Sequence, residues 1–169
     1  MQKSWRQSSE EGEMMTEMRR VTAICNGTVV DHIPAGRALQ VMQMLRIDVG
    51  RSSPISLVMN VPSGKVGRKD VLKIEDRELT QKELDRLALI APHASVAIIR
   101  NYGVAKKRQI QLGEELINIA RCSFSNCITQ NSREPLPHKL RVVSEEPLDV
   151  RCSYCGRTQN IDELAESIL

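Results

Sequence analysis

Four of the five cysteines in this 169-residue chain form two short pairs, and this pattern limits the fold more than any other feature. Cys122 and Cys127 are separated by four residues, and Cys152 and Cys155 by two. Each pair can present two sulfur atoms from one tight turn, and two such turns facing each other form the tetrahedral four-sulfur site that zinc favours. The spacing therefore predicts a small domain held together by one structural zinc ion.

The cysteines are interpreted as metal ligands because the rest of the sequence indicates an intracellular protein. It lacks a long apolar run, and its first 20 residues lack the apolar centre of a signal peptide. In reducing compartments, paired cysteines bind metal more often than they form disulfides. A redox role for Cys152 and Cys155 is the alternative, but no thioredoxin-like pattern surrounds them. We expect a cytoplasmic protein with no membrane partner.

The sequence contains no recognisable catalytic motif. Four cysteine ligands fill the coordination sphere of zinc and leave no position for an activated water, so the metal would be structural. The histidines are widely separated, and the nucleophile-elbow, P-loop and HExxH motifs do not occur. Asp31 and His32 are neighbours, but adjacent strand residues point to opposite faces, so we do not expect them to orient each other. The sequence predicts a protein that is not an enzyme.

Charge is distributed unevenly along the chain. Residues 21–112 contain 14 basic and 8 acidic residues, whereas residues 113–169 contain 6 and 9. The cysteine-rich part is therefore acidic. A nucleic-acid-binding zinc finger should have a basic surface of its own, so this balance argues against nucleic acid as a partner.

The region before the cysteines has the pattern of an α+β domain. Residues 1–20 are predicted to be a flexible N-terminal extension. Residues 21–33 are predicted to form a strand, a tight turn or bulge at Asn26-Gly27, and a second extended piece. Further strands are predicted at 55–61, 67–75 and 95–102, with one helix after Pro34 and a second opening on the capping box Thr80-x-x-Glu83. The order βαββαβ over residues 21–108 predicts a ferredoxin-like domain, with both helices on one face of an antiparallel sheet.

The region after this domain is predicted to be smaller. Residues 109–120 are interpreted as a connector that ends in a short helix. Residues 121–169 are predicted to form a small all-β zinc-binding domain with two strands, KLRVV and LDVRC, and a short helix from about Asp162. A core of this size usually needs a metal or disulfide to be stable.

A cluster of basic residues is the remaining candidate for a binding site. Lys69, Lys73 and the run 106–108 are expected on or beside the third and fourth strands, which can be neighbours in this fold. Such a cluster could neutralise a polyphosphate. By charge alone, an ordinary solvated sheet edge is the favoured interpretation. Stacking of RNA bases on the sheet would need more exposed aromatic residues than the chain contains.

The sequence closely resembles the regulatory chain family of aspartate carbamoyltransferase from about Val21 to the C-terminus. The stretches that carry the resemblance are GTVVDHIPAG, NVPSGKVGRKDVLKIE, LALIAP, RNYGV and the four-cysteine set. They occur in the order found in the family.

The resemblance implies a non-catalytic subunit that binds nucleoside triphosphates and modulates a separate catalytic chain. CTP would inhibit and ATP would oppose it. Regulatory homodimers, formed through the nucleotide-binding domain, would bridge catalytic trimers, and the zinc domain would dock the catalytic chain. The allosteric signal would pass through residues 109–120. The alternative function is a zinc-ribbon adaptor that binds nucleic acid through its basic first domain.

The resemblance also assigns nucleotide-binding residues. It puts ribose and phosphate contacts at Asp31, His32, Lys73 and Lys107, with Lys69 close by. It puts the base against the first and fourth strands, at Val21, Ala23, Ile24, Ile99, Tyr102 and Val104. Thr22 and Ala97, which flank the base, differ from the residues common in the family, and this difference bears on the preference between nucleotides.

Overall fold

Two antiparallel sheets organise the chain in its computed structural model, which describes residues 22–48, 50, 53–64, 67–133 and 135–168. The predicted extension 1–20 and Val21 lie outside the described residues. Within the described part, the first sheet has five strands and the second has four. The predicted α+β class is confirmed.

The first sheet has the strand order β2-β3-β1-β4-β5. Its strands are β1 (Gly27–Pro34), β2 (Ile55–Ser63), β3 (Gly67–Glu75), β4 (Ser95–Arg100) and β5 (Gly103–Gln109), and its helices are α1 (Ala38–Met44) and α2 (Gln81–Ile90). The order of the first four strands is that of the predicted βαββαβ fold, and β5 is an additional edge strand.

The core of this region lies between the sheet and its two helices. On β3, Leu72 and Ile74 are buried, whereas Lys73 between them is only partly buried, as expected for a strand with one face covered. Val41 of α1 and Leu87 of α2 belong to the same buried cluster. This core is built almost entirely from aliphatic side chains, so the low aromatic content of the sequence does not limit it.

The capping box predicted for α2 is confirmed. The backbone N–H of Glu83 donates to Thr80 Oγ1 at 3.4 Å, and the backbone N–H of Thr80 donates to Glu83 Oε2 at 2.8 Å. The helix ends before Pro92, which cannot continue the helical hydrogen bonding. The local sequence was sufficient to define this helix.

The first strand begins at Gly27, so the extended piece predicted after the turn at Asn26-Gly27 is confirmed, whereas the strand predicted before this turn does not form at residues 22–26. Gly27 has φ 135°, and a Cβ atom there would lie 2.1 Å from the carbonyl oxygen of Ile74. Only glycine fits this close approach between β1 and β3. Residues 22–26 form no strand and instead lead into β1 at the end of the sheet.

Two predictions about the fourth strand are also wrong. β4 ends at Arg100, and the basic run 106–108 belongs to β5, which follows a turn in which Asn101 and Tyr102 both have positive φ. The third and fourth strands are not neighbours, because β1 lies between them and pairs with both.

The second sheet has the order β6-β7-β8-β9. Its elements are β6 (Glu115–Ile117), β7 (Lys139–Glu145), β8 (Leu148–Cys152) and β9 (Thr158–Asn160), followed by α3 (Ile161–Ser167). The two predicted strands are confirmed as β7 and β8. The short helix predicted at the end of the connector is wrong, since residues 115–117 pair with β7 as a strand.

The two sheet regions are in contact. Leu89 projects from α2 into the second buried cluster, where it joins Leu116, Leu140 and Leu164. Leu112 and Ile168 pack against both clusters. Among the described residues, no helix is both long and apolar enough to cross a membrane.

Candidate metal centre and ligand-binding face

The four paired cysteines converge on one point in the second region. Their sulfur atoms all lie within 4.8 Å of one another, and Cys122, Cys127 and Cys152 are buried. The Sγ atoms of Cys122 and Cys155 are 3.7 Å apart, and those of Cys127 and Cys152 are 3.8 Å apart. A disulfide needs sulfur atoms about 2 Å apart, so these distances correspond to free thiols gathered around a common centre.

Backbone hydrogen bonds hold the two cysteine turns in place. The N–H of Cys127 donates to the carbonyl of Phe124 at 3.0 Å, and the N–H of Gly156 donates to the carbonyl of Cys152 at 2.9 Å. Gly156 has φ 71°, a left-handed conformation that glycine adopts without strain. The buried Gln159 of β9 accepts from the N–H of Ser123 at 3.0 Å and so ties the first turn to the sheet.

The electrostatics of the cluster disfavour four thiolates without a cation. Burial raises the pKa of the Cys122 thiol, and burial also raises that of Cys152. At Cys127 burial acts in the same direction, but hydrogen bonds from Thr129 outweigh it and lower the pKa to about 7. A divalent metal would remove this conflict because it deprotonates the thiols that coordinate it.

The donor set fits a tetrahedral metal. With metal–sulfur bonds of about 2.3 Å, a regular tetrahedron has sulfur–sulfur edges of about 3.8 Å. The two measured pairs have this separation. Four soft thiolates select zinc or an iron–sulfur centre over hard cations, and they leave no open coordination position. The site can therefore hold a metal that stabilises the fold.

The predicted nucleotide-binding residues lie in the first region, on the sheet face opposite the helices. The strand register aligns Lys73 of β3 with Val29 of β1, Val29 with Ala97 of β4, and Ala97 with Lys107 of β5. Paired residues share a face, so the two lysines point to the same side with two small or medium side chains between them. Their Cα atoms are about 14 Å apart, since adjacent strands are about 4.8 Å apart.

Asp31 and His32 orient each other, so the expectation that they do not is wrong. The pairing of β1 with β3 is irregular between Val30 and Ile33, and His32 has φ 61°. This bulge breaks the alternation of side chains. His32 Nδ1 lies 3.4 Å from Asp31 Oδ2, and the backbone N–H of His32 donates to Asp31 Oδ1 at 2.7 Å.

Lys69 completes this group, with its Nζ 2.7 Å from Asp31 Oδ1. Burial opposes ionisation of Asp31, but the hydrogen bond from Lys69 and the N–H of His32 outweigh it and lower the pKa of the carboxyl. Asp31 therefore stays charged at neutral pH and balances one of the three lysines on this face.

The remaining predicted residues, apart from Val21, which lies outside the described residues, are found at the other end of the same face. The backbone N–H of Tyr102 donates to the carbonyl of Cys25 at 2.9 Å, which fixes residues 22–26 beside the turn between β4 and β5. Ile24 and Ile99 are buried, whereas Tyr102 and Val104 are exposed by 71% and 62%. Ala23 is exposed as well. Buried apolar side chains and exposed ones therefore meet at this end.

Sequence reasoning missed Val29 and the contact between the Thr22 carbonyl and Lys73, although it placed Thr22 and Ala97 beside the base. Val29 and Ala97 form the floor between Lys73 and Lys107, and the carbonyl of Thr22 accepts from Lys73 Nζ at 2.7 Å. Val30 is buried and its neighbour Val29 is not, and this alternation along β1 could have indicated that Val29 lies on the face opposite the helices. The Thr22 contact has no local signal, because it joins residues 51 positions apart.

The basic run 106–108 divides between the two faces of the first sheet. Lys107 lies on the face opposite the helices. Lys106 and Arg108 line a groove of about 370 Å³ on the helix side. Arg108 Nη1 donates to Gln81 Oε1 of α2 at 3.1 Å. The expected cluster of Lys69, Lys73 and the whole run 106–108 therefore does not form, because only Lys107 of the run shares a face with Lys69 and Lys73.

Together these regions define a class of protein. A closed four-sulfur site lies in one small region, and the other region has a mixed, partly cationic sheet face that is a candidate ligand site. These features define a two-region protein with a metal-binding centre.

Comparisons with known proteins identify the family. Residues 19–111 match the family described as aspartate carbamoyltransferase regulatory chain, allosteric domain, and residues 114–165 match its metal binding domain. Relatives named aspartate carbamoyltransferase regulatory chain include one from Korarchaeum cryptofilum, 46% identical over 91% of this chain and 98% of the relative. Those of Thermoplasma acidophilum (44%) and Thermococcus onnurineus (43%) cover 85% and 91% of this chain and 95% and 100% of their own lengths.

The chain belongs to the aspartate carbamoyltransferase regulatory chain family. The resemblance stated from the sequence is confirmed. The protein is accordingly a non-catalytic regulatory subunit with an allosteric and a metal-binding domain. The oriented Asp31–His32 pair is therefore not part of a catalytic site.

Proposed function

We propose that this chain binds CTP and ATP on the helix-free face of its first sheet and transmits their binding to a catalytic chain docked on its metal domain. The observation that carries the proposal is the row that joins Lys73 to Lys107 across Val29 and Ala97. Long ammonium side chains at the two ends of an apolar floor suit a triphosphate that lies between them.

The polar group at Asp31 suits the ribose and phosphates. Its carboxylate can accept hydrogen bonds from ribose hydroxyls, while Lys69 and His32 can donate to phosphate oxygens. An arriving phosphate competes with Asp31 for Lys69, so binding reorganises an existing ion pair. Val21, which the resemblance assigns to the base, lies outside the described residues.

The base would lie near Ala23, Ile24, Ile99, Tyr102 and Val104. Exposed backbone N–H and C=O groups of an edge strand can distinguish an exocyclic amine from a carbonyl. This distinction would let CTP and ATP share the site and disfavour UTP. The methyl side chain of Ala97 cannot form a hydrogen bond with the base, so selectivity between nucleotides would depend on backbone groups.

We assign the metal centre to one zinc ion per chain and the docking of the catalytic chain to the domain that it holds. Exposed apolar side chains lie in or beside this second region, including Ile128 next to Cys127 and Tyr154 between Cys152 and Cys155. Such side chains favour burial against a partner. We place the domain boundaries at 21–108 and 121–169, joined by 109–120.

Homodimers of the first domain would bridge catalytic trimers. Two edge strands are available for pairing, β2 and β5. Self-pairing of β5 would bring Lys106, Lys107 and Arg108 against their own copies, which like-charge repulsion disfavours. We therefore propose β2 as the dimer edge.

A charge-deletion pair on β5 tests the nucleotide site. Lys107→Ala should weaken CTP binding by about tenfold, because one charge-assisted phosphate contact contributes roughly 1.5 kcal/mol or more. Isothermal titration calorimetry of CTP, ATP and UTP against the full chain measures the effect.

Lys106→Ala is the matched control for this experiment. It removes the same charge one residue away, but on the helix side of β5. Equal losses in the two variants would indicate a general electrostatic effect, and an unchanged CTP affinity in Lys107→Ala would remove the assigned site. If the chain instead binds RNA or DNA, and the logarithm of the affinity falls linearly with the logarithm of the salt concentration, the nucleic-acid adaptor would be favoured.

A further inference from the structure

A short stretch of chain connects the proposed phosphate site to the metal domain. Asp31 and His32 contact Lys69 at one end of it. Six residues after Asp31, the guanidinium of Arg37 reaches the second region, with Nη1 3.0 Å from Asp162 Oδ1 in the first turn of α3. This route spans residues 31–37, whereas the route through β5 and the segment 109–120 is much longer.

A buried carboxylate fixes the far end of this stretch to the strand that carries Lys69. Asp70 is fully buried, and its Oδ2 accepts from the N–H groups of Gly36 at 2.8 Å and Ala38 at 3.1 Å. These two amides flank Arg37. The N–H of Arg37 itself donates to the carbonyl of Pro34 at 3.0 Å. A displacement of β3 at Lys69 is therefore passed to Arg37 through hydrogen bonds rather than through a flexible loop.

Strand pairing also joins residues 31–37 to β3, in addition to the hydrogen bonds of Asp70. Ile33 pairs with Asp70, and Pro34 pairs with Lys69, immediately after the bulge at His32. The bulge is the irregular point of this ladder, and it carries the residues assigned to the nucleotide. Any change in the bulge on ligand binding acts directly on the residues that position Arg37.

We propose that the Arg37–Asp162 ion pair couples occupancy of the Asp31–Lys69 site to the position of α3 and hence of the metal domain. The inference deepens the proposed function and rests on it. A bound phosphate draws Lys69 away from Asp31, the bulge and β3 adjust, and Arg37 alters its contact with Asp162. The two domains would have two relative arrangements, one with and one without this contact. A ligand shifts the equilibrium between them only as far as its affinities for the two arrangements differ.

The exposure of the pair suits such a role. The side chains of Arg37 and Asp162 are 30% and 74% exposed, and pairs of this kind contribute little to folding. Variants should therefore fold and assemble. The Arg37 guanidinium is also oriented by Gln40 Oε1 at 2.9 Å, so its direction is defined even though it lies at the surface.

A second polar contact between the regions provides a matched control. His93 Nε2 lies 2.8 Å from Glu146 Oε1 in the turn between β7 and β8. This contact starts from the turn after α2, two residues before Ser95, which pairs with Asp31. Among the described residues, neither His93 nor Glu146 makes a hydrogen bond or ion pair with Lys69 or with residues 31–37. The proposal therefore predicts different outcomes for two exposed ion pairs that both join the same two regions.

The experiment compares four variants in the assembled complex with the catalytic chain. They are Arg37→Gln, Asp162→Asn, the double variant and the control His93→Gln. CTP affinity is measured by calorimetry on the full regulatory chain alone, and the effect of CTP and ATP on catalytic activity is measured in the complex. Assembly is monitored by size-exclusion chromatography.

We expect each single variant to reduce the nucleotide-induced change in activity by about two- to fivefold, because one contact carries part of a coupling that is typically about 5- to 150-fold. The double variant should lose no more than either single variant, as expected when both remove one interaction. CTP affinity of the chain alone should remain within about twofold of the wild type, since neither residue contacts the nucleotide. His93→Gln should retain the full response.

Several outcomes would overturn the proposal. A full response in Arg37→Gln would do so, as would additive losses in the double variant or an equal loss in His93→Gln. Arg37→Lys provides a second test if Arg37→Gln assembles poorly, since it keeps the charge and should keep most of the response. Wild-type chain that binds no nucleotide would remove the proposed function itself, whereas binding with normal regulation in the Arg37 variants would remove only this ion pair.

Discussion

The two sheet regions of this chain achieve stability by different means. The first packs a sheet against two helices around an aliphatic core that includes Val30, Leu72 and Leu87. The second has a smaller apolar cluster in which Cys122, Cys127 and Cys152 occupy buried positions beside Leu140 and Val150. A region of about 50 residues cannot bury enough apolar surface by itself, so a metal replaces the missing core.

In the proposed function, this difference separates ligand binding from docking. The first region uses one face of its sheet for the core, and the proposal assigns the other face to a nucleotide. The second region uses its sulfur atoms for cohesion, and the proposal assigns its surface to the catalytic chain. Loss of the metal should therefore remove docking while the ligand-binding face survives, and this separation can be tested directly.

The largest effect is expected at the metal centre. Cys155→Ala should unfold the metal domain and abolish association with the catalytic chain, because the free energy of metal binding is on the order of 10 kcal/mol and is also folding free energy. The first region should still bind CTP. Co-purification with the catalytic chain and calorimetry measure the two outcomes.

The control for this prediction is Cys25→Ala, which removes the half-buried cysteine outside the cluster. It should change neither assembly nor metal content. Normal co-purification of Cys155→Ala with the catalytic chain would refute the division of roles between the regions.

A smaller effect is expected at the buried carboxylate of the first region. Asp70 accepts three backbone N–H groups, those of Gly36, Ala38 and Asn60. Asp70→Asn replaces one acceptor oxygen with a donor and leaves at least one buried N–H unsatisfied, at a cost of roughly 1–3 kcal/mol in the free energy of unfolding. Chemical denaturation of this region should show the loss, whereas release of the metal by a chelator should be unchanged.

Asp76→Asn is the matched control, since Asp76 is exposed at the end of β3 and has φ 52°, which asparagine tolerates. Its stability should stay close to that of the wild type. A similar loss in both variants would mean that burial of Asp70 is not the cause.

The smallest effect concerns pH. Burial opposes ionisation of Glu83, but hydrogen bonds from Thr80 and the adjacent Arg77 outweigh it and lower the pKa of this carboxyl. A group with a lowered folded-state pKa contributes stability that is complete above its unfolded pKa and is lost as pH falls through the folded value. The free energy of unfolding should therefore fall below about pH 4.

Glu83→Gln isolates this contribution. Glutamine can still accept in the capping box but does not titrate. The dependence of stability on pH between about 5 and 3 should be flatter in the variant than in the wild type. If the free energy of unfolding changes equally steeply with pH in the variant and the wild type, other carboxylates cause the loss of stability at low pH.

Much of the fold could be predicted because its signals are local. The capping box at Thr80 lies within four residues of sequence, and the buried positions of β3 follow from simple alternation. The metal site required no knowledge of the fold, since two closely spaced pairs of cysteines without a thioredoxin-like pattern favour a shared metal. The class of protein and its metal centre were therefore available from the sequence.

The details of the ligand-binding face could not be predicted in this way. The bulge at His32 depends on how β1 pairs with β3, and it brings Asp31 and His32 together against the ordinary alternation. The separation of Lys107 from Lys106 and Arg108 depends on residues 103–109 forming an edge strand of their own.

The sequence by itself determined both helices of the first region, most of the core strands, the cysteine centre and the family. Tertiary structure alone decided which distant residues meet, as in the row from Lys73 to Lys107 and the pair Arg37–Asp162, which are separated by 34 and 125 positions. The physical reason is that helix caps, alternation and ligand spacing depend on neighbouring residues, whereas strand register and contacts between domains depend on packing over the whole chain.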